Sequence, residues 1–321
     1  MATVVQTDFA WADNEIERAI IEGAGHRLVI GPSAAAPPAE IEALIGANDP
    51  SAILTCWARI SDKAIALPKN LKIVARYGVG LDNIDVPAAT ARGAWVTNVP
   101  DYCVEEVSDH ALAMILGWTR GLVSFDREVK RGRWDPSGAR LRRTATLTAG
   151  ILGFGRIGRA TARKLSGIGL DVLAYDVAVK GGVPHAELVS LDRLLHDSDV
   201  IVVHLPLNEE TRHFVDDDFL KRMRKGSFLV NVSRGPVVDN EALIRALDAG
   251  RISGAALDVV EGEPNPPAAL IARPDVIATP HIAFSSDESL AELRRRGAEE
   301  VVRVLKGEKP QNPCNKPAGG G

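Results

Sequence analysis

The chain has 321 residues, 45% of them apolar and 25% charged, with a formal net charge of −4. That length supports two domains with separate cores, and the composition is that of a soluble globular protein. A mildly acidic balance offers no general attraction to nucleic acid or an anionic membrane, and no apolar run approaches the roughly 20 residues that span a bilayer. One local exception, Arg120–Arg143, carries eight Lys/Arg against three Asp/Glu. Only Phe125 and Trp134 fall among these cations, too few for a run of stacking aromatics, so the stretch reads as a solvated arm rather than a nucleic-acid site. Cys56, Cys103 and Cys314 are odd in number, far apart and without zinc spacing. Neither a disulfide framework nor a metal site is expected, and a reducing compartment fits. The opening MATVVQTDFAWADNE turns acidic too early for a signal peptide, so the expected location is cytoplasmic. The Gly-rich tail NKPAGGG is expected to fray.

The first third alternates short apolar runs with helical patterns. Strands are predicted at Thr3–Thr7, Arg27–Ile30, Ala52–Thr55, Leu71–Arg76 and Trp95–Thr97. Helices are predicted between them at Asn14–Ile21, Pro38–Ile45, Ser61–Ala66 and Val86–Arg92. Such alternation indicates a parallel sheet covered on both faces. A longer helix follows from Val104 to Leu122, with Val104, Val107, Ala111, Ile115, Trp118 and Leu122 stepping by three and four. Because Ala113, Met114 and Leu116 make the opposite face apolar too, it reads as a buried connector between domains. The polar, Arg-rich stretch after it reads as an exposed arm near residues 120–145.

A second alternation begins at Thr146. Its strands are predicted at Thr146–Leu152, Asp171–Tyr175, Val200–His204, Ser227–Val232, Gly254–Asp258 and Val276–Ala278. The run Ser285-Ser286-Asp287-Glu288 looks like a helix N-terminus with a capping box, and Leu290, Leu293, Gly297, Val301 and Leu305 continue one face until Gly307. The domain reading is a discontinuous substrate domain, residues 1–102 plus 285–321, around a dinucleotide-binding domain at 103–284. Both are α/β, with doubly wound parallel sheets.

The run GILGFGRIGRA places Gly153-Phe154-Gly155-Arg156-Ile157-Gly158 directly after an apolar strand and before a helix. Gly153 permits the tight turn, Gly155 lets the backbone approach a pyrophosphate, and Gly158 lets the helix pack close to the strand. The next strand ends in Asp176, eighteen residues past Gly158. A carboxylate there accepts both ribose hydroxyls of NAD and repels a 2′-phosphate, and no Lys or Arg follows it until Lys180. NAD is therefore the expected cofactor. Further segments at strand ends are His204-Leu205-Pro206-Leu207, Asn231-Val232-Ser233-Arg234-Gly235 and Leu257-Asp258. His204 reads equally as a cofactor contact or as a satisfied histidine at a strand end.

Arg234, Glu263 and His281 each follow an apolar strand in the same domain. Hydride transfer to a 2-keto acid needs a cation for the carboxylate and ketone, a proton donor for the forming alkoxide, and a carboxylate to stabilise the imidazolium. Singly, each has an ordinary reading: an ion-pair former, a loop charge, a turn residue after Pro280.

Together with VARYGVGLDNID, HLPLNEETRHFV, NVSRGPVVDNEAL, ALDVVEGEP and TPHIAFSS, in that order, these motifs resemble the D-isomer-specific 2-hydroxyacid dehydrogenases from Leu71 to about Ser286. The resemblance implies Arg234 as the substrate-orienting arginine, Glu263 as the carboxylate partner with Glu261 its rival, and His281 as the acid/base. It implies Arg76, Tyr77, Gly78, Val79 and Gly80 as the substrate loop. His204, Pro206, Thr211, Val232, Ser233, Asp258 and His281 would join the glycine fingerprint and Asp176 around NAD, with Asp258 on the nicotinamide carboxamide. It further implies a flavodoxin-like and a Rossmann lobe, D-stereospecificity for a small 2-hydroxy/2-keto acid, and a homodimer. Arg76, VTNVPDYCVEEVSDHAL and HIAFSS resemble the branch of the C-terminal-binding proteins, although Phe284 stands where those proteins have tryptophan. That branch brings an alternative, an NADH-responsive, corepressor-like binding protein, and a phosphite-type dehydrogenase is a third reading. Trp57, Tyr77, Tyr102 and Phe284 read either as pocket walls hinting at an acid larger than glyoxylate or as packing. Trp134 reads either as packed on the arm or as reaching a partner subunit.

Overall fold

The structure, a computed structural model, describes residues 1–317; Ala318–Gly321, most of the tail expected to fray, lie outside the described residues. The chain forms two compact units, Met1–Tyr102 joined by the chain from Ser286 onward, and Cys103–Ser285. The first unit opens with β1 (Thr3–Gln6), α1 (Glu15–Ile21), β2 (Arg27–Ile30), α2 (Pro38–Asn48), β3 (Ala52–Thr55), α3 (Asp62–Ala66), β4 (Ile73–Arg76), α4 (Val86–Ala91) and β5 (Trp95–Thr97). The strands pair in parallel in the order β2-β1-β3-β4-β5. Strands β3 and β4 are buried along their whole length, which is why they read as continuous apolar runs rather than alternating ones. Local chemistry sets the helix starts: the hydroxyl of Ser61 accepts from Ala64 N, the carboxylate of Asp85 accepts from Ala88 N, and Pro38 opens α2. Val5, Ile41, Ile45, Ile53, Ile65 and Val74 form the centre of this core.

The second unit runs α5 (Val104–Thr119), α6 (Leu122–Lys130), β6 (Thr148–Leu152), α7 (Arg156–Gly167), β7 (Asp171–Tyr175), β8 (Glu187–Leu188), α8 (Leu191–Asp197), β9 (Val200–Val203), α9 (Asp217–Arg222), β10 (Phe228–Asn231), α10 (Asn240–Asp248), β11 (Gly254–Leu257), α11 (Ala268–Ile271) and β12 (Val276–Ala278). Its parallel sheet has the order β12-β11-β10-β9-β6-β7-β8. In each unit the strand order reverses once, between β1 and β3 and between β6 and β9. An open parallel sheet binds ligands beyond its strand C-termini at such a reversal. Both sheets are doubly wound, the first in flavodoxin-like order and the second of Rossmann type.

The predicted helix Val104–Leu122 ends early, at Thr119. Gly121 takes φ +61, a left-handed conformation, and a Cβ there would come within 2.9 Å of Leu141 and Phe125. Beyond it the expected loop-like arm contains a second helix, α6, none of whose residues is buried. Strand β8 has only two residues, too few to leave a pattern in the sequence.

The first unit is completed by α12 (Asp287–Leu305). Its capping box lies one residue later than expected and closes with Ser289 instead of Glu288: Ser286 Oγ accepts from Ser289 N, and Ser289 Oγ accepts from Ser286 N. Along α12, Arg294 pairs with Glu17 and Asp13, and Gly297 admits the ring of Tyr77, whose Cε1 lies 2.5 Å from where a Cβ would sit. After the helix, Cys314 N donates to Val96 O at 2.7 Å and Asn315 Oδ1 accepts from Val96 N at 2.8 Å. The start of the tail is thus pinned along β5. Among the described residues no helix is long and apolar enough to cross a membrane.

Candidate active site

In the second unit the glycine turn follows β6. Gly153 takes φ +95, and a Cβ on it would lie 2.8 Å from His204 O, so the turn abuts the exit of β9 at the sheet's reversal point. A Cβ on Gly158 would lie 2.2 Å from Gly153 O, which fixes how closely α7 packs on the turn. At Gly155, by contrast, a Cβ would meet nothing within 4 Å. This residue caps α7, whose first N–H groups have no partners inside the helix and form the positive end of its dipole. Arg156 is exposed, Ile157 half-buried and Phe154 fully buried. Asp176 Oδ2 accepts from Phe154 N at 2.7 Å, and Oδ1 accepts from Ala178 N and Val179 N. Partial burial pushes this carboxyl up, but the three N–H donors and nearby Arg159 outweigh it and hold Asp176 below the usual carboxylate range. The sequence reading missed Arg159, whose guanidinium lies 4.7 Å over the Phe154 ring.

Burial pushes the imidazole of His204 down to about 3, so it is neutral. Its buried Nε2 has no hydrogen-bond partner among the described residues. Thr211 Oγ1 donates to Pro206 O at 2.6 Å, closing the loop after His204. An open side at Gly155, an acceptor at Asp176 and an orphaned nitrogen at His204 fit the pyrophosphate, ribose and neighbouring groups of a dinucleotide.

At the end of β10, Asn231 Oδ1 accepts from Ser233 N and Oγ, while Asn231 Nδ2 donates to Arg234 O. Val232 is buried, and Arg234 and Ser233 are half-buried. A Cβ on Gly235 would lie 2.3 Å from Val260 C, so the turn bearing Arg234 packs directly on the loop bearing Glu263. Past β12, His281 Nδ1 lies 3.0 Å from Glu263 Oε1. The rival Glu261 is engaged elsewhere: its two oxygens lie 2.7 Å from Arg212 Nη1 and from His213 Nε2. His281 takes φ +54, a left-handed value for a residue with a side chain. Holding it there is Asp258, only 2% exposed. Asp258 Oδ1 accepts from Thr279 Oγ1 at 2.6 Å and Ile282 N at 2.9 Å, Oδ2 accepts from Ala283 N, and its carbonyl accepts from His281 N. This support of the turn is not visible in the sequence.

In the first unit the Arg76–Gly80 segment leaves β4. Arg76 is buried, its Nη1 donates to Tyr77 O, and its Nε has no partner among the described residues. Gly78 takes φ +148, and a Cβ there would press on the Arg76 guanidinium at 2.9–3.2 Å. Val79 O accepts from Asn98 Nδ2, and Gly78 O accepts from Val99 N. The ring of Tyr77 is not a pocket wall: it is buried against Gly297 and edge-on to Trp11 at 5.1 Å, so only its backbone serves the loop. Tyr102 is also buried, whereas Trp57 is 36% exposed. Asp8, which the sequence reading passed over although it closely follows β1, accepts from Cys56 N, Trp57 N and Ala58 N beyond β3.

Residues 112–283 match the family model described as the D-isomer specific 2-hydroxyacid dehydrogenase, NAD binding domain. The chain is 38% identical over 293 residues to a glyoxylate reductase of Thermofilum pendens, covering 87% of this chain and 86% of that one. Among solved structures it is similar to a protein of Thermus thermophilus, with TM-score 0.89 and 30% identity over 98% of this chain and 100% of the other. It is also similar to the D-lactate dehydrogenase of Aquifex aeolicus complexed with NAD and lactic acid, with TM-score 0.85 and 28% identity over 98% and 100%. The chain belongs to the D-isomer-specific 2-hydroxyacid dehydrogenase family, and its cofactor is NAD.

Proposed function

We propose that this enzyme interconverts a small 2-keto acid of glyoxylate or pyruvate size with its 2-hydroxy acid, of D configuration where the hydroxyl-bearing carbon is chiral. The observation that carries the reading is the 3.0 Å contact of His281 Nδ1 with Glu263 Oε1, on the loop packed against the Arg234 turn. Gly153–Gly158, Asp176, His204, Pro206, Thr211, Val232, Ser233 and Asp258 would hold NAD. Bound NAD supplies or takes up the hydride. The roles of the chain's own residues divide by unit. A carboxylate at Glu263 only accepts, so it fixes a proton on His281 Nδ1 and leaves Nε2 to give or take the proton at the substrate oxygen. Arg234 would hold the substrate carboxylate and polarise its ketone. In the first unit the N–H groups of Gly78, Val79 and Gly80 would receive the carboxylate, with Arg76 stiffening their loop from behind. The names of the relatives, glyoxylate reductase and D-lactate dehydrogenase, support a small acid.

The test is NADH consumption with glyoxylate, pyruvate and 2-ketobutyrate, followed by His281→Gln, which should lower kcat on the order of 10²–10⁴-fold. NADH binding without turnover of any acid would overturn the reading in favour of the corepressor-like branch. Phosphite-dependent NAD reduction would favour the phosphite type.

The arm supports a homodimer. Trp134 is 86% and Leu122 68% exposed, with Val129 and Leu141 exposed beside them in sequence, so Trp134 does not pack on its own arm. Apolar side chains this exposed on one segment mark an association surface. Trp134→Asp should shift the sedimenting species from dimer to monomer. Cys56, Cys103 and Cys314 carry thiols rather than disulfides, in keeping with a proposed cytoplasmic location.

A further inference from the structure

Four hydrogen-bond donors of the 279–283 turn end on one residue, Asp258. They hold His281 in its left-handed conformation, and the turn reaches Asp258 Oδ1 through the hydroxyl of Thr279. That hydroxyl has a single hydrogen. A carboxylate accepts and never donates, so the hydrogen lies between Thr279 Oγ1 and Asp258 Oδ1, which are 2.6 Å apart. Thr279 therefore shows only lone pairs to its other neighbour, His110 Nε2, at 3.0 Å. It follows that His110 carries its proton on Nε2 and donates. The same nitrogen lies 3.6 Å from Asp258 Oδ1. His110 sits within α5, between Val107 and Ala111, which are both buried. A packed helix thus aims a donor at the one hydroxyl that fastens the turn.

We propose that His110 is a positioning residue: the chain His110 Nε2–H to Thr279 Oγ1–H to Asp258 Oδ1 sets the turn that presents His281 for proton transfer. The inference rests on the proposed role of His281 and adds to it a residue on a separate helix. With Leu at position 110 the Thr279 hydroxyl loses its donor and is free to rotate away from the carboxylate, so the turn relaxes and the His281 ring leaves its working direction. Gln restores an N–H at similar reach.

The experiment measures kcat, KM for glyoxylate and thermal midpoint for His110→Leu, His110→Gln, Thr279→Val, Thr279→Ser and the double variant His110→Leu/Thr279→Val. In parallel, histidine-selective NMR of the full chain without added NAD follows the His281 ring, assigned by its loss in His281→Gln. His110→Leu and Thr279→Val should each lower kcat about tenfold with KM changed less than about threefold, and the double variant should be no worse than the poorer single. The His281 resonance should move in both and return in His110→Gln and Thr279→Ser, along with kcat. An unmoved resonance, a kcat within about twofold of wild type in His110→Leu, or a loss that Gln does not repair overturns the proposal. Should the Leu variant fail to fold, the Thr279→Val and Thr279→Ser pair decides in the same way. Full turnover in His281→Gln is a different result, because it removes the reading beneath the proposal.

Discussion

Asp8 and Asp258 solve the same problem in the two units with different consequences. Each stands just past a parallel strand and gathers backbone N–H groups from the exit of the neighbouring strand. Asp8 takes Cys56, Trp57 and Ala58, and Asp258 takes Ile282 and Ala283. Around Asp8 the remaining donors are the hydroxyls of Thr7 and Thr55, both fully buried, so the cluster is sealed within the sheet. Around Asp258 the hydroxyl of Thr279 leads on to a histidine, and the gathered turn carries His281. A buried carboxylate that collects N–H groups is a general device for fixing a strand exit. What hangs from the exit decides whether the device serves stability alone or also chemistry.

Substituting the two carboxylates breaks the comparison most sharply. Asp258→Asn should cut kcat about 100-fold, because an amide cannot accept on both sides and the His281 turn shifts. Asp8→Asn should instead lower unfolding free energy by about 3 kcal/mol in urea titrations, with a kcat change below about tenfold. Equal effects of the two substitutions on both readouts would erase the distinction between them. Next in size, Glu263→Gln keeps an acceptor near His281 Nδ1 but not the charge, and should lower kcat about tenfold in stopped-flow turnover. Asp176→Ala removes the carboxylate that ties Phe154, Ala178 and Val179. It should weaken NADH about tenfold by fluorescence titration and narrow the preference over NADPH.

Glu300 gives the smallest effect and shows how the balance of burial and donors sets the sign. Burial pushes its carboxyl up, and N–H donation from Gln311 and Asn312 with Arg303 nearby only partly offsets this, so it sits above the usual carboxylate range. Asp176, less buried and with three N–H donors, goes the other way. For a group raised in the folded state, the stabilising contribution is complete below the unfolded value and is lost as pH rises through the folded one. Relative to Glu300→Gln, the wild-type urea midpoint should therefore decline as pH climbs from about 4.5 toward neutrality.

The parallel strands were legible because their fully buried, β-branched runs and flanking turn residues carry the signal by themselves. The glycine turn was legible for a similar reason, since each glycine answers a local steric demand. The break at Gly121 was not, because a single glycine among helix formers fixes its backbone only when Leu141 and Phe125 close around it. Likewise, the ring of Tyr77 had no sequence mark separating a pocket wall from core; Gly297, more than two hundred residues away, makes the difference. His110 and Thr279 stood among ordinary neighbours, and the bond joining them spans 169 positions. Asp8 left a trace, an acid at the end of an apolar strand, of the same kind that drew attention to Asp258.

The split first unit has a consequence for how the protein is made. Glu17 emerges from the ribosome early and becomes fully buried, yet the cation that neutralises it, Arg294, is translated after the whole of Cys103–Ser285. The ring of Tyr77 waits for Gly297, and the exposed edge of β5 waits for Cys314 and Asn315. The later-translated unit is contiguous, so the whole of it is released before Arg294, Gly297, Cys314 and Asn315. Synthesis therefore holds the amino-terminal sheet open-ended, with an uncompensated acid and an uncovered strand, until the last helix is released.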